Sequence, residues 1–202
     1  MTDVRNVEEV CAASPDYLGY IFYPKSARNV GDHPDPELFQ VVPETIKKTA
    51  VFVNERYEQV IEITRRFDIG HIQLHGMESP EMCKLLRSSG MVVLKVIPGD
   101  QLENIALIAE YAAASDFLLF DTPVISFGGS GRKFDWSKLR ALESPARFFL
   151  SGGITHEDAD TIFGMKNRNL YAVDINSRFE TEPGIKNPDL VQSFIKRIRN
   201  ED

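Results

Sequence analysis

The sequence predicts an α/β fold built on a parallel β-sheet, and three observations support this prediction. Short apolar runs of strand length alternate with amphipathic stretches of helical length along all 202 residues. The links between these segments are short, and no stretch rich in Pro, Gly or Ser divides the chain. A chain of this length can bury a full core without disulfides or metals. We therefore expect a single domain over residues 1–202.

Seven apolar runs, rich in β-branched and aromatic residues, are expected to form the strands. These runs are Tyr17–Tyr23, Thr49–Val53, His71–His75, Val92–Ile97, Asp116–Asp121, Arg147–Ser151 and Leu170–Ile175. Amphipathic segments lie around and between them, at Val4–Ala13, Glu55–Phe67, Ser79–Ser88, Gln101–Ala113, Thr155–Phe163 and Asn187–Ile198. Seven strands do not close an eight-stranded barrel. The count therefore leaves two architectures, an open doubly wound sheet or a (β/α)8 barrel that lacks its first strand.

Composition and charge limit the classes of partner. The formal net charge of −7 argues against nucleic acid and against an anionic membrane surface as partners. A small phosphorylated substrate remains compatible, because backbone N–H groups can bind phosphate without Lys or Arg. Cys11 and Cys83 lie in no metal-ligand or C-x-x-C spacing. Two isolated cysteines are typical of a protein of the reducing cytoplasm.

Polar side chains follow several of the predicted strands, where a barrel enzyme builds its active site. Asp121 closes a fully apolar run, where a desolvated carboxyl group favours its protonated form and suits a general acid. The alternative is that Asp121 is a helix N-cap or an ion-paired aspartate. His75 ends the third run, where it either makes structural hydrogen bonds or contacts a substrate. Arg28 follows the first run and is either a bidentate ligand for a carboxylate or a solvated surface residue.

Small residues follow the last three predicted strands. Gly129 and Gly131 belong to a GGSG segment, and Gly152 and Gly153 form a strand-to-helix turn. Ser177 follows the seventh run. The loops after the last two strands of a (β/α)8 barrel often bind phosphate through backbone N–H groups. Ordinary turns also favour these residue types, so both interpretations stay open on this pattern alone.

Seven segments, in order and with compatible spacing, resemble the phosphoribosylanthranilate isomerase family. They are GYIFYPKSARNV (19–30), VFVN (51–54), IQLHGMES (72–79), LFDT (119–122), GGSGRKFDW (128–136), LSGGI (150–154) and VDINSRFETEPGIK (173–186). The resemblance implies a TIM barrel without its first strand. It also implies a cofactor-free and metal-free Amadori rearrangement of N-(5′-phosphoribosyl)anthranilate in tryptophan biosynthesis.

The resemblance assigns roles to the residues at the strand ends. Asp121 matches the general acid that protonates the ring oxygen, and Arg28 matches the arginine that contacts the anthranilate carboxylate. The phosphate-binding loops of the family match Gly129, Gly131, Gly152, Gly153 and Ser177. His75 falls within the matching IQLHGMES segment, and we expect it to contact the substrate. A monomer and a homodimer both remain open.

The chain departs from the family pattern at its start. The family opens with a strand of pattern K-x-C-G-[ILM]-[TR] that carries the catalytic cysteine, whereas this chain begins Met1-Thr2-Asp3-Val4. We expect either that Met1 is an internal methionine of a slightly longer protein, or that the base is missing. Cys11 and Cys83 are then expected to be packing residues.

Three classes of function follow from the sequence. The first is the isomerase, and the second is an inactive or impaired phosphate-binding barrel without the cysteine strand. The third is another phosphate-binding barrel enzyme, such as an indole-glycerol-phosphate synthase or a ribulose-phosphate epimerase. The third class is disfavoured, because the sequence shows neither a lysine-rich catalytic set nor the epimerase's metal-binding histidines.

Overall fold

Seven parallel strands form one sheet, in the order in which they occur along the chain. The computed structural model describes residues 1–122, 134–140, 142 and 144–201. The strands are β1 (Tyr17–Ile21), β2 (Lys47–Phe52), β3 (His71–Leu74), β4 (Val92–Pro98), β5 (Phe117–Asp121), β6 (Phe148–Leu150) and β7 (Leu170–Val173). All seven coincide with the predicted apolar runs, so the prediction of an α/β fold with seven strands is confirmed.

The sheet is curled, and aromatic contacts across it demonstrate this. The ring of Tyr17 on β1 lies 5.3 Å from that of Phe149 on β6, although four strands separate them in the sheet order. Phe149 also contacts Tyr171 on β7, with ring centroids 5.7 Å apart. The Tyr17 and Phe149 rings pack with Leu94 and Leu119 inside the curled sheet. The curl therefore brings β1 close to β6 around this apolar cluster.

The helices cover the outside of the sheet. They are α1 (Val4–Cys11), α2 (Glu37–Gln40), α3 (Tyr57–Arg66), α4 (Pro80–Ser88), α5 (Ile105–Ala114), α6 (Ser137–Arg140), α7 (Ala159–Phe163) and α8 (Pro188–Arg199). Ser79 caps α4 by accepting a hydrogen bond from the Met82 backbone N–H, as the Ser-Pro start predicts. In the part of the chain that the structure describes, no helix is long and apolar enough to cross a bilayer.

A small antiparallel hairpin was not predicted from the sequence. It consists of β8 (Glu180–Glu182) and β9 (Ile185–Lys186), which follow a 3-10 turn at Ser177–Phe179. The Asn6 side chain on α1 makes two hydrogen bonds of 2.8 Å with the backbone of Lys186. The chain after β7 is therefore attached to the first helix.

The loops after β2 and β3 are held by a buried ion pair. Lys95 Nζ on β4 lies 3.0 Å from Glu78 Oε2, and each side chain is 3% exposed. Lys95 also donates to the carbonyls of Leu74 and Gly76, while Glu78 accepts from the backbone N–H groups of Asn54 and Gly76. His75 lies between two of these anchor points, so this network fixes its position at the end of β3.

We expect Glu78→Ala to lower the free energy of unfolding by about 3–5 kcal/mol, because it leaves Lys95 buried without its counter-charge. Urea denaturation measures this difference. Glu62→Ala removes the same side chain from an exposed position on α3 and is the matched control, with an expected change within about 0.5 kcal/mol. Equal effects of the two substitutions would contradict the role given to the ion pair.

Candidate active site

One cavity of about 590 Å³ opens among the carboxyl ends of the strands and continues between the outer edges of β1 and β7. Six residues predicted from the sequence as site residues line it: Arg28, His75, Asp121, Gly152, Gly153 and Ser177. The other two, Gly129 and Gly131, lie outside the described residues. Strand ends and loops that are distant in the sequence therefore meet in one space.

His75 and Asp121 form the central pair of the cavity. His75 Nε2 lies 3.2 Å from Asp121 Oδ2, and the two side chains are 25% and 20% exposed. The Thr122 backbone N–H donates to Asp121 Oδ1 at 2.8 Å, which turns the other oxygen toward His75. Burial opposes the charged imidazolium, but the hydrogen bond and charge of Asp121 outweigh it and raise the pKa of His75. The pair can therefore hold a proton beside the cavity.

A second carboxyl group faces the same space from the end of β7. Burial and the neighbouring Asp121 carboxylate raise the pKa of Asp174. Ser151, at the end of β6, donates to Asp174 Oδ2 at 3.1 Å. Sequence reasoning did not single out Asp174. Its position directly after an apolar strand is the same signal that identified Asp121.

The turn after β6 requires glycine. Gly152 has φ +95° and Gly153 has φ +66°, which is the left-handed region that favours residues without a side chain. A Cβ atom at Gly152 would lie 2.3 Å from Thr122 Oγ1 and 3.0 Å from Asp121 Oδ1. The backbone of this turn can therefore approach the end of β5 and a bound ligand closely.

Arg28 is neither a solvated surface residue nor a free guanidinium. Its Nη2 lies 2.7 Å from Glu180 Oε2, and its Nε donates to the same carboxylate. Lys186 Nζ lies 2.7 Å from Glu180 Oε1. Although burial opposes ionisation, Arg28 and Lys186 together hold the pKa of Glu180 below its usual range. This ion-pair cluster of Arg28, Glu180 and Lys186 lines the cavity at its β1–β7 side.

A family model described as N-(5′-phosphoribosyl)anthranilate (PRA) isomerase matches residues 1–197 of the chain. The chain belongs to the phosphoribosylanthranilate isomerase family. The family member from Parabacteroides distasonis is 37% identical over 202 residues, an alignment that covers 98% of this chain and 90% of that protein. The resemblance found in the sequence is thereby confirmed.

Solved structures of phosphoribosylanthranilate isomerases have the same fold. The enzyme from Thermotoga maritima is 28% identical, with a TM-score of 0.86 over 99% of this chain and 96% of that chain. A second structure of the family holds reduced 1-(o-carboxyphenylamino)-1-deoxyribulose 5-phosphate. It is 26% identical, with a TM-score of 0.80 over 99% of this chain and 95% of that chain. The TIM-barrel prediction is confirmed by these likenesses.

Both cysteines of this isomerase family member pack in the core. Cys11 on α1 and Cys83 on α4 are buried in the cluster between the helices and the sheet. Burial raises the pKa of the Cys11 thiol, and it raises the pKa of Cys83 to about 11. The prediction that both are packing residues is confirmed, and neither suits a base that works near neutral pH.

Proposed function

We propose that this chain catalyses the Amadori rearrangement of N-(5′-phosphoribosyl)anthranilate to 1-(2-carboxyphenylamino)-1-deoxyribulose 5-phosphate in tryptophan biosynthesis. The observation that carries the proposal is the His75–Asp121 pair, because it lies in one cavity with a glycine turn and an arginine. Family membership and a structural neighbour that holds the reduced product support it. The substrate is a small phosphorylated molecule, and the proposed reaction needs neither a cofactor nor a metal.

Asp121 is the proposed general acid. Protonation of the ribose ring oxygen opens the ring: the electron pair of the broken C1′–O bond goes to that oxygen, which becomes a hydroxyl group, and the lone pair of the anthranilate nitrogen forms a C1′=N double bond. Loss of the C2′ proton to a base then gives an enolamine, which tautomerises to the ketose. The proton shared between His75 and Asp121 is delivered through Asp121, which then remains as a carboxylate beside the imidazole. The 2.8 Å bond from Thr122 N keeps the carboxyl group oriented during this step.

The phosphate is assigned to the turn after β6 and the turn after β7. Gly152 and Gly153 offer backbone N–H groups without side-chain bulk, and Ser177 begins a 3-10 turn at the cavity wall. Gly129 and Gly131 complete the phosphate loops in this proposal. Backbone donors at these positions explain how an acidic chain can bind an anionic substrate.

We expect Gly152→Ala to weaken binding of the reduced product by at least about tenfold, since the strained backbone costs about 1–3 kcal/mol and the added Cβ displaces Thr122. Isothermal titration measures the affinity. Gly70→Ala is the matched control, because its Cβ would meet no atom within 4 Å. Unchanged affinity in the Gly152 variant would contradict the placement of the phosphate.

The base that removes the C2′ proton is assigned to neither cysteine of the sequence, since both lie in the core. The family pattern K-x-C-G does not occur in these 202 residues. Asp121 therefore supplies the acid half of the proposed mechanism, and none of the described residues is assigned the base half. Two unpaired cysteines support a cytoplasmic location, and a monomer or a homodimer is compatible with the site.

The experiment is incubation of the purified chain with N-(5′-phosphoribosyl)anthranilate and chromatographic identification of the product. We expect the ketose phosphate to form faster than in buffer, and reduced product to inhibit its formation. Ribose 5-phosphate, which lacks the anthranilate, is the control inhibitor and should act more weakly. Absence of both turnover and binding of the reduced product would overturn the proposal.

A further inference from the structure

The contact between Arg28 and Glu180 joins two loops that are far apart in the sequence. Arg28 Nε donates to both carboxylate oxygens of Glu180, at 3.0 Å to Oε1 and 2.8 Å to Oε2. Arg28 Nη2 lies 2.7 Å from Glu180 Oε2. The Arg28 and Glu180 side chains are 18% and 4% exposed. Such a bidentate pair fixes the plane of the guanidinium as well as its position.

The guanidinium keeps one unoccupied edge. Arginine has five N–H donors, and Glu180 occupies the edge formed by Nε and Nη2. Among the described residues, no hydrogen bond reaches Nη1 of Arg28. The edge formed by Nη1 and the second proton of Nη2 can therefore receive another carboxylate in the same bidentate way.

Glu180 is itself held in place by the hairpin that carries it. The Gly184 backbone N–H donates to its Oε1 at 3.1 Å, and Lys186 Nζ lies 2.7 Å from the same oxygen. Lys186 in turn is fixed through its backbone to Asn6 on α1. These contacts hold the Glu180 carboxylate in place without any ligand.

We propose that Glu180 is a positioning residue, which holds Arg28 so that its free edge receives the carboxylate on the aromatic ring of the substrate. This inference rests on the proposed function, because it takes Arg28 as the group that binds this carboxylate. Glu180 itself does not touch the substrate. It determines selectivity for the carboxylated ring by fixing the guanidinium before the ligand arrives.

The experiment compares two ligands by isothermal titration of the whole chain. One ligand is reduced 1-(2-carboxyphenylamino)-1-deoxyribulose 5-phosphate, and the other is the same molecule with hydrogen in place of the carboxylate. We expect Glu180→Gln to weaken binding of the first ligand by about tenfold or more, the effect of losing an oriented charged hydrogen bond. Binding of the second ligand should be unchanged.

A merely structural role of Glu180 gives a different result, because a disturbed cavity lowers the affinity for both ligands equally. That result, or no change for either ligand, overturns the inference. Lys186→Met is the matched control, because it removes the other cation of the cluster and keeps the Arg28–Glu180 contacts. In this variant, the ratio of the affinity for the carboxylated ligand to the affinity for the second ligand should equal that of the unmodified chain. If the ratio falls as it does in the glutamine variant, the inference is overturned.

Arg28→Met separates this inference from the proposed function. If Arg28→Met selectively weakens binding of the carboxylated ligand but Glu180→Gln does not, the positioning role of Glu180 is wrong and the role of Arg28 in binding the carboxylate stands. If Arg28→Met has no selective effect, both are wrong.

Glu180→Asp keeps the charge but shortens the side chain by one methylene group. Should the glutamine variant not fold, the aspartate variant must show the same selective loss, and an equal loss of affinity for both ligands, or no loss for either, overturns the inference.

Discussion

An N-terminal extension that adds one strand of pattern K-x-C-G raises kcat/KM for N-(5′-phosphoribosyl)anthranilate by at least about a hundredfold, because general base catalysis contributes roughly 10²–10⁴-fold. The rate is measured on the 202-residue polypeptide and on the extended one under the same conditions. The physical reason is that, among the described residues, no cysteine lines the cavity beside Asp121.

The geometry around Met1 indicates where such a strand would lie. The Met1 amino group donates to the Gly19 carbonyl on β1 at 3.1 Å, and Met1 lines the cavity. The cavity continues between β1 and β7, the two ends of the described sheet. A segment added before Met1 would therefore start inside this opening and could pair with the edge of β1.

The control for this experiment is the same extension with alanine in place of its cysteine. It restores the strand without the thiol, and we expect it to raise the free energy of unfolding but not the rate. Equal rates for the cysteine and alanine extensions would show that the base lies elsewhere. Equal rates for the extended and unextended polypeptides would show that no base is missing from it.

We expect Asp121→Asn, made in the extended polypeptide, to lower kcat by about 10²–10⁴-fold, because an amide cannot deliver the proton that opens the ring. The substitution keeps the size and shape of the side chain and the hydrogen bond from Thr122 N to its oxygen. Affinity for the reduced product, measured by titration, should therefore remain close to that of the unsubstituted polypeptide.

Asp116→Asn is the matched control for this substitution. Asp116 immediately precedes the same strand at its opposite end, where it pairs with Arg87 at 3.1 Å and lies far from the carboxyl ends. We expect little change in kcat from this variant. An Asp121→Asn variant as active as the Asp116→Asn variant would contradict the general-acid assignment.

The positions of the strands, and of Asp121 and His75 at strand ends, could be predicted from the sequence because both follow local rules. Apolar runs bounded by polar residues mark the strands, and Asp121 and His75 stand at strand ends. Parallel strands bring these ends together without any knowledge of their contacts. Asp174 obeys the same rule and could have been found by applying it to the seventh run as well.

Contacts between distant segments could not be predicted in this way. Arg28 and Glu180 are 152 positions apart, and no local pattern pairs them. The hairpin that carries Glu180 is short and polar, so it lacks the periodicity of a strand. The sequence gives one indication of the buried pair of Lys95 and Glu78, which is a single lysine within the apolar run VVLKVI. A charge in such a run indicates a buried partner, but not which residue it is.

A crystal structure of the chain with reduced 1-(2-carboxyphenylamino)-1-deoxyribulose 5-phosphate would show directly whether Arg28, Asp121 and the glycine turn form one substrate site. We expect the phosphate at the backbone of Gly152, Gly153 and Ser177, and the ring carboxylate on the free edge of Arg28. The sugar oxygens should then lie within hydrogen-bond distance of Asp121. A ligand bound outside this cavity, or one whose sugar lies away from Asp121, would contradict the assignment of the site.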